Sequence, residues 1–94
     1  MTDSIQVSIS NIEFDLQNSI ILNNTLFARG YINKRWLLYS IDLVSGTILW
    51  EVAIDYFSPS YIYYNNNCII LHNHRHGFNA YSYDTGEEVW VYKL

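Results

Sequence analysis

Three histidines, His72, His74 and His76, alternate with Asn73 and Arg75 in the last third of the chain. On an extended strand such residues share one face, about 7 Å apart at the backbone for each pair. Two imidazoles placed so can chelate zinc, which takes ring nitrogens at about 2.0–2.1 Å. A single imidazole can also act as an acid or base near neutral pH. Against both roles, Arg75 sets a cation among the rings and Gly77 follows at once. No cysteine or carboxylate stands at a ligand spacing from them. A solvated loop or a partner contact is the expected role, with His72, His74 and His76 held as metal candidates. No metal and no cofactor is expected.

The other chemistry-bearing residues are equally sparse. Arg29, Lys34 and Arg35, with Arg75, could gather into a basic spot on one rim, although solvated loops explain them as well. Cys68 opens the apolar run Cys-Ile-Ile-Leu with no cation beside it to favour the thiolate, so a buried inert thiol is expected. The chain has no glycine-rich phosphate loop, nucleophile elbow or zinc-protease helix. Its acids are scattered and form no catalytic pair. Tyrosine is the informative residue type. Tyr56 lies beside Asp55, and Tyr61, Tyr63 and Tyr64 follow. Alternation puts Tyr61 and Tyr63 on one face of a strand and Ile62 and Tyr64 on the other. Exposed tyrosines near acids suit protein recognition. Glu51, Asp55, Tyr56, Tyr61 and Tyr63 are therefore the expected partner-binding residues.

Composition limits what can position these groups. The chain has 94 residues, 50% hydrophobic and 15% charged. That is one domain's worth, too apolar for a disordered tail. Nine acids against five Lys and Arg give a net charge of −4. A basic partner is favoured electrostatically, whereas direct nucleic-acid binding and anionic membrane surfaces are disfavoured. One cysteine excludes an internal disulfide. The N-terminus lacks the pattern of a signal peptide and no apolar run reaches the ~18 residues of a membrane span. A cytoplasmic address is expected.

The hydrophobic pattern has period two almost throughout, the mark of half-buried strands. Residues 5–9 and 12–16 alternate around Ser10-Asn11 and read as an N-terminal hairpin. Apolar runs at 19–22, 25–29, 36–43, 47–54, 61–64 and 68–71 follow, then two strands around Asp84-Thr85-Gly86. Asparagine pairs, Ser58-Pro59-Ser60 and glycines separate them. About ten short strands and no helix are expected. Residues 38–50, LYSIDLVSGTILW, repeat at an offset of 40 as residues 78–90, FNAYSYDTGEEVW. Ser40 matches Ala80, Gly46 matches Gly86 and Trp50 matches Trp90. Upstream, ILNNTLFA matches YYNNNCIIL. A period near 40 with four strands per unit is the signature of propeller blades.

Both units resemble the repeat of quinoprotein-type (PQQ-like) β-propellers, whose blades end in Ala-x-Asp-x-x-Thr-Gly-x-x-x-Trp. The first unit has Asp42, Ser45, Gly46 and Trp50, with Ser40 for the alanine; the second has Ala80, Thr85, Gly86 and Trp90, with Ser82 for the aspartate. The resemblance implies that each Trp packs on a neighbouring blade near its glycine. It covers about residues 19–92, which is two blades, too few to close a ring. The family's quinone and calcium sites draw on many blades and are not carried over.

The expected fold is all-β. Two consecutive four-stranded antiparallel propeller-like blades (19–57 and 58–94) pack face to face, with an N-terminal hairpin (1–18) covering the second Trp. The ring stays open. The expected function is that of a non-catalytic protein-binding inhibitor. In size, charge and lack of chemistry the chain resembles bacterial toxin immunity proteins, including those of contact-dependent growth inhibition. Its partner would then be a basic, nuclease-like toxin whose active site it occludes. The alternatives are a homo-oligomeric ring or scaffold that binds protein or carbohydrate, and a fragment of a larger propeller. Met1, and an end just after the last Trp strand, favour a whole chain over a fragment.

Overall fold

Asparagine sets the hairpins. Strand β1 (Glu13–Leu22) turns into β2 (Thr25–Ile32) through Asn23 and Asn24, at φ of 51° and 62°. The turn from β2 to β3 (Arg35–Asp42) uses Asn33 and Lys34, at 51° and 64°. The turn from β5 (Tyr61–Asn65) to β6 (Cys68–Asn73) uses Asn66 and Asn67, at 51° and 61°. Two successive positive φ values make the tight turn whose twist matches that of the flanking strands, and asparagine tolerates that conformation better than most residues. The structure is a computed structural model that describes residues 9–54, 61–73, 75 and 77–93.

The remaining strands are β4 (Thr47–Ile54), β7 (Gly77–Ser82) and β8 (Glu88–Lys93). Strands β1-β2-β3-β4 form one four-stranded antiparallel sheet and β5-β6-β7-β8 a second, each in sequential order. The fold is therefore all-β, two propeller-like sheets that do not close into a ring. Eight strands are present among the described residues, not ten. The span 12–16, expected in a hairpin over residues 1–18, is instead the start of β1, which runs on without a break at residue 18. Its register against β2 slips between Asp15 and Ile20. There the Ser19 hydroxyl donates to the Leu16 carbonyl at 2.8 Å and Asn18 to Asp15 at 3.2 Å. Such short side chains bond locally in competition with the ladder. Ser10 and Asn11 lie in a 3₁₀ turn, Ile9–Asn11, rather than a two-residue hairpin. The strand expected at 5–9 lies outside the described residues but for Ile9.

The two sheets meet through a shared core. Phe27, Leu38, Trp50 and Ile54 of the first sheet pack with Ile62, Ile69, Leu71 and Tyr81 of the second. Each fully buried side chain of this size contributes roughly 1.5–3 kcal/mol of transfer free energy. A second cluster lies on the other face of the first sheet, where Ile12 packs with Leu37, Tyr39 and Ile41. A Cβ on Gly30 would sit 2.5 Å from Ile12 Cγ2 and 2.7 Å from Tyr39. Gly30 thus leaves room for the chain to cross the sheet. Ile9 and Ile12 pack on the first sheet, and Trp90, expected beneath the N-terminal hairpin, is 43% exposed. No helix among the described residues is long and apolar enough to cross a membrane.

The 40-residue repeat is visible atom by atom at the two glycine turns. Gly46 N–H donates to the Asp42 carbonyl at 2.7 Å and Gly86 N–H to the Ser82 carbonyl at 2.9 Å. Asp42 accepts from Val44 N–H and from the Ser45 hydroxyl, both at 3.0 Å. In the second unit the Ser82 hydroxyl accepts from Asp84 and Thr85 N–H at 3.3 Å, so serine performs the aspartate's turn-holding role there. Both hairpins carry a register shift at the same place, between Ser40 and Ile41 and between Ala80 and Tyr81.

Candidate functional site

In antiparallel sheets, directly opposed residues share a face. Tyr61 pairs with His72 and His72 with Phe78, which pairs with Tyr92. Tyr63 pairs with Ile70, Ile70 with Ala80, and Ala80 with Trp90. These two rows lie on one face of the second sheet. The opposite face carries Ile62, Ile69, Leu71 and Tyr81, which the first sheet buries. The first face therefore points away from the rest of the molecule.

That outer face is aromatic. The His72 ring stacks on Phe78, with centroids 4.4 Å apart and planes 8° from parallel. Tyr61 and Tyr63 each stand 6.3 Å from His72, and Tyr92 stands 6.4 Å from Phe78. Tyr61 and Tyr63 are about half exposed, at 48% and 50%, and Trp90 and Tyr92 also reach solvent. A shallow, open groove of about 820 Å³ runs over Tyr63, Ile70, Phe78, Trp90 and Tyr92. Small-molecule sites enclose most of their ligand, which an open groove of this kind does not do. An apolar, aromatic surface on a rigid sheet is instead the composition of an interface core.

The structure places the expected residues in three groups. Tyr61 and Tyr63 share the aromatic face, as alternation requires. Glu51 is exposed but belongs to the first sheet, where it pairs with Tyr39 on the face turned away from the second sheet. Glu51 and the two tyrosines therefore do not form one patch. Asp55 and Tyr56 lie outside the described residues. Of the histidine cluster, His72 is on the aromatic face, while His74 and His76 lie outside the described residues. Among the described residues no group of three His, Cys, Asp or Glu could hold a metal ion.

The basic residues do not converge either. Arg29 is buried within β2, where its guanidinium meets the Asp15 carboxylate at 3.0 Å and lies 4.3 Å over the Trp36 ring. It is a core residue, not part of a rim with Lys34, Arg35 and Arg75. Cys68 is half-buried at the start of β6. Among the described residues the one shifted titration is that of Tyr39. Burial, then the Glu51 charge, push its phenol above the ordinary range, and Arg35 partly opposes them.

The motif residues have a common geometry but different neighbours. Ser40 opposes Trp50 and Ala80 opposes Trp90, a small residue across from each indole. Trp50 is 9% exposed; its indole Nε1–H donates to the Tyr83 carbonyl at 2.9 Å. A Cβ on Gly86 would lie 2.5 Å from Trp50 Cε3, so the indole rests directly on that glycine. Asp42 and Gly46 shape the corresponding turn of the first unit, where a Cβ on Gly46 would meet nothing within 4 Å among the described residues.

Sequence reasoning missed Phe78, Tyr92 and Ile70 as members of the aromatic face. Carrying the alternation from Trp90 to Tyr92, and the repeat from Leu38 to Phe78, would have found Tyr92 and Phe78; Ile70 joins them through the pairing with Tyr63 and Ala80. No protein-family model matches this chain, and no curated protein matches it.

Proposed function

We propose that this chain is a non-catalytic protein-binding module whose docking surface is the outer face of the second sheet. The observation that carries this reading is the row of exposed aromatic side chains, Tyr61, Tyr63, Trp90 and Tyr92, held on a sheet whose other face is core. Aromatic rings supply large contact area with few rotatable bonds, which is why they anchor interfaces. A photo-crosslinking residue at Tyr92, in the full chain in living cells, tests it. A covalent protein adduct is expected; its complete absence overturns the reading.

A second reading concerns what the binding is for: neutralisation of a basic, nuclease-like toxin, as an immunity protein. The net charge of −4 favours it, and the exposed Glu51 offers a charge partner on a different face. Association steered by opposite charge is fast and weakens with salt. Co-expression with the toxin-like product of a neighbouring gene should protect cells, and Glu51→Lys should weaken protection. Unprotected cells overturn this use without touching the docking face. The likeness to quinoprotein-type repeats supports the blade reading only, with no cofactor and a cytoplasmic setting proposed.

A further inference from the structure

Within this chain one sheet docks on the other through a defined plug and socket. The plug is Trp50. The socket is the turn of the second unit, where the Tyr83 carbonyl accepts the indole N–H at 2.9 Å and the bare Gly86 receives the ring. The repeat supplies a second plug and a second socket, and nothing among the described residues fills either. Trp90 corresponds to Trp50 but is 43% exposed. Gly46 corresponds to Gly86, and the space beside it is open.

The empty socket is already built. Leu43 stands where Tyr83 stands in the second unit. Its N–H donates to the Asn24 carbonyl at 2.9 Å, as Tyr83 N–H donates to Asn67 at 3.0 Å. The Leu43 carbonyl is thus held like its counterpart. Gly46 keeps the same positive φ, 76° against 79° for Gly86. Leu43 and Val44 are exposed beside it, Val44 at 79%. Residues 43–47 of this turn are exposed. Ile12 packs on Gly30 and Tyr39, whereas the turn adjoins the other end of β2, where Thr25 pairs with Asp42.

One chain cannot join its own second plug to its own second socket, because they lie on the outward faces of different sheets. Two copies can. We infer that a second copy of this chain covers the aromatic face, head to tail, with Trp90 of one copy seated on the Gly46 turn of the next. The inference rests on the aromatic face being a docking surface and names its occupant. The new junction reproduces one the fold already contains: the Trp90 indole N–H donates to the Leu43 carbonyl of the next copy and the ring fills the space over Gly46. Such a contact is heterologous, so it leaves a free plug at one end and a free socket at the other. It grows until the rotation closes a ring, or continues as a stack. Each copy carries a charge of −4, so salt strengthens this assembly by screening repulsion. A complex with a basic partner responds in the opposite sense.

Mass by light scattering over a concentration series tests it with wild type and three variants. Wild type is expected to exceed the monomer mass, more so at high salt. Trp90→Ala removes the plug. Gly46→Asn blocks the socket with a residue that tolerates positive φ, and Val44→Glu is a second socket variant that leaves the turn backbone alone. Each variant should be monomeric by itself. Mixing Trp90→Ala with Gly46→Asn should give dimers and nothing larger, because one copy retains only a socket and the other only a plug. A monomeric wild type at every concentration overturns the inference. So does normal assembly of both socket variants, which would mean that two Trp90 faces meet directly. A monomeric wild type that still forms a protein adduct at Tyr92 overturns the inference alone. A monomeric wild type with no adduct removes the docking reading as well.

Discussion

The two sheets have the same strand order, the same glycine turn, the same register shift and a tryptophan at the same place, yet they differ in how they are covered. In the first sheet both faces are packed: Phe27, Leu38 and Trp50 against the second sheet, and Leu37, Tyr39 and Ile41 beneath Ile12. In the second sheet one face is core and the other carries Tyr61, Tyr63, Trp90 and Tyr92 into solvent. Strand β8 is exposed at every position, whereas β4 buries Trp50 and Ile54. The burial of a residue in a repeat is therefore a property of its neighbour. Trp50 and Trp90 have equivalent backbones, but only Trp50 has a glycine turn to rest on.

The largest test of that difference is the tryptophan pair. Trp50→Ala should cost about 3–5 kcal/mol in urea unfolding, a threat to a fold whose total is on the order of 5–15 kcal/mol. Trp90→Ala, measured at a dilution where copies are separate, should cost under about 1 kcal/mol, as exposed positions do. Equal losses would show that the two indoles are not differently placed. The glycines give the next effect. Gly46→Ala should cost only the positive-φ strain of about 1–2 kcal/mol. Gly86→Ala carries that strain and an overpacking cost of about 1–3 kcal/mol, because the new Cβ meets Trp50. A loss at Gly46 matching that at Gly86 would mean the Gly46 turn is already covered.

A smaller effect, of the opposite sign, is expected at Ser40. Its buried hydroxyl has no hydrogen-bond partner among the described residues, and its counterpart in the second sheet is Ala80. Ser40→Ala should stabilise the protein by about 1 kcal/mol, since a buried unpaired hydroxyl is a cost. A lower melting temperature for Ser40→Ala would show that the hydroxyl contributes a contact after all. The smallest effect is the pH dependence of Tyr39. Its phenol ionises less readily in the fold than in the unfolded chain. The unfolded chain therefore loses its proton first, so stability is intact below about pH 10 and falls as pH rises towards the raised folded value. Tyr39→Phe should flatten that fall, and Glu51→Gln should reduce it, in urea midpoints compared between about pH 9 and 11. An unchanged slope in both variants would assign the alkaline loss elsewhere.

Much of the architecture was legible from residue types alone. Asn23-Asn24 and Asn66-Asn67 announce tight hairpins because asparagine tolerates positive φ. The offset of 40 between Gly46 and Gly86 and between Trp50 and Trp90 identified two equivalent units. Alternation at Tyr61, Ile62 and Tyr63 gave the correct faces of β5, since the side-chain period of a strand is two whatever surrounds it. β1 was the exception. Its two apolar runs looked like separate strands because the ladder slips at 16–19, and a slip of that kind shows in the sequence only as an interruption of the pattern.

What the local pattern could not supply is which of two equivalent surfaces ends up covered. Arg29 reads as a loop cation next to Lys34 and Arg35, yet it is buried, because Asp15, 14 residues away, supplies its counter-charge. Glu51 and Tyr63 both read as exposed partner-binding residues, yet they face outward from different sheets. Trp50 and Trp90 have the same sequence context. The sequence by itself determined the strands, their turns and the two-fold repeat, because those depend on backbone preferences within a few residues. Only the tertiary structure decided which charge is paired and which tryptophan is docked, because burial and pairing depend on segments that are brought together by the packing of whole sheets.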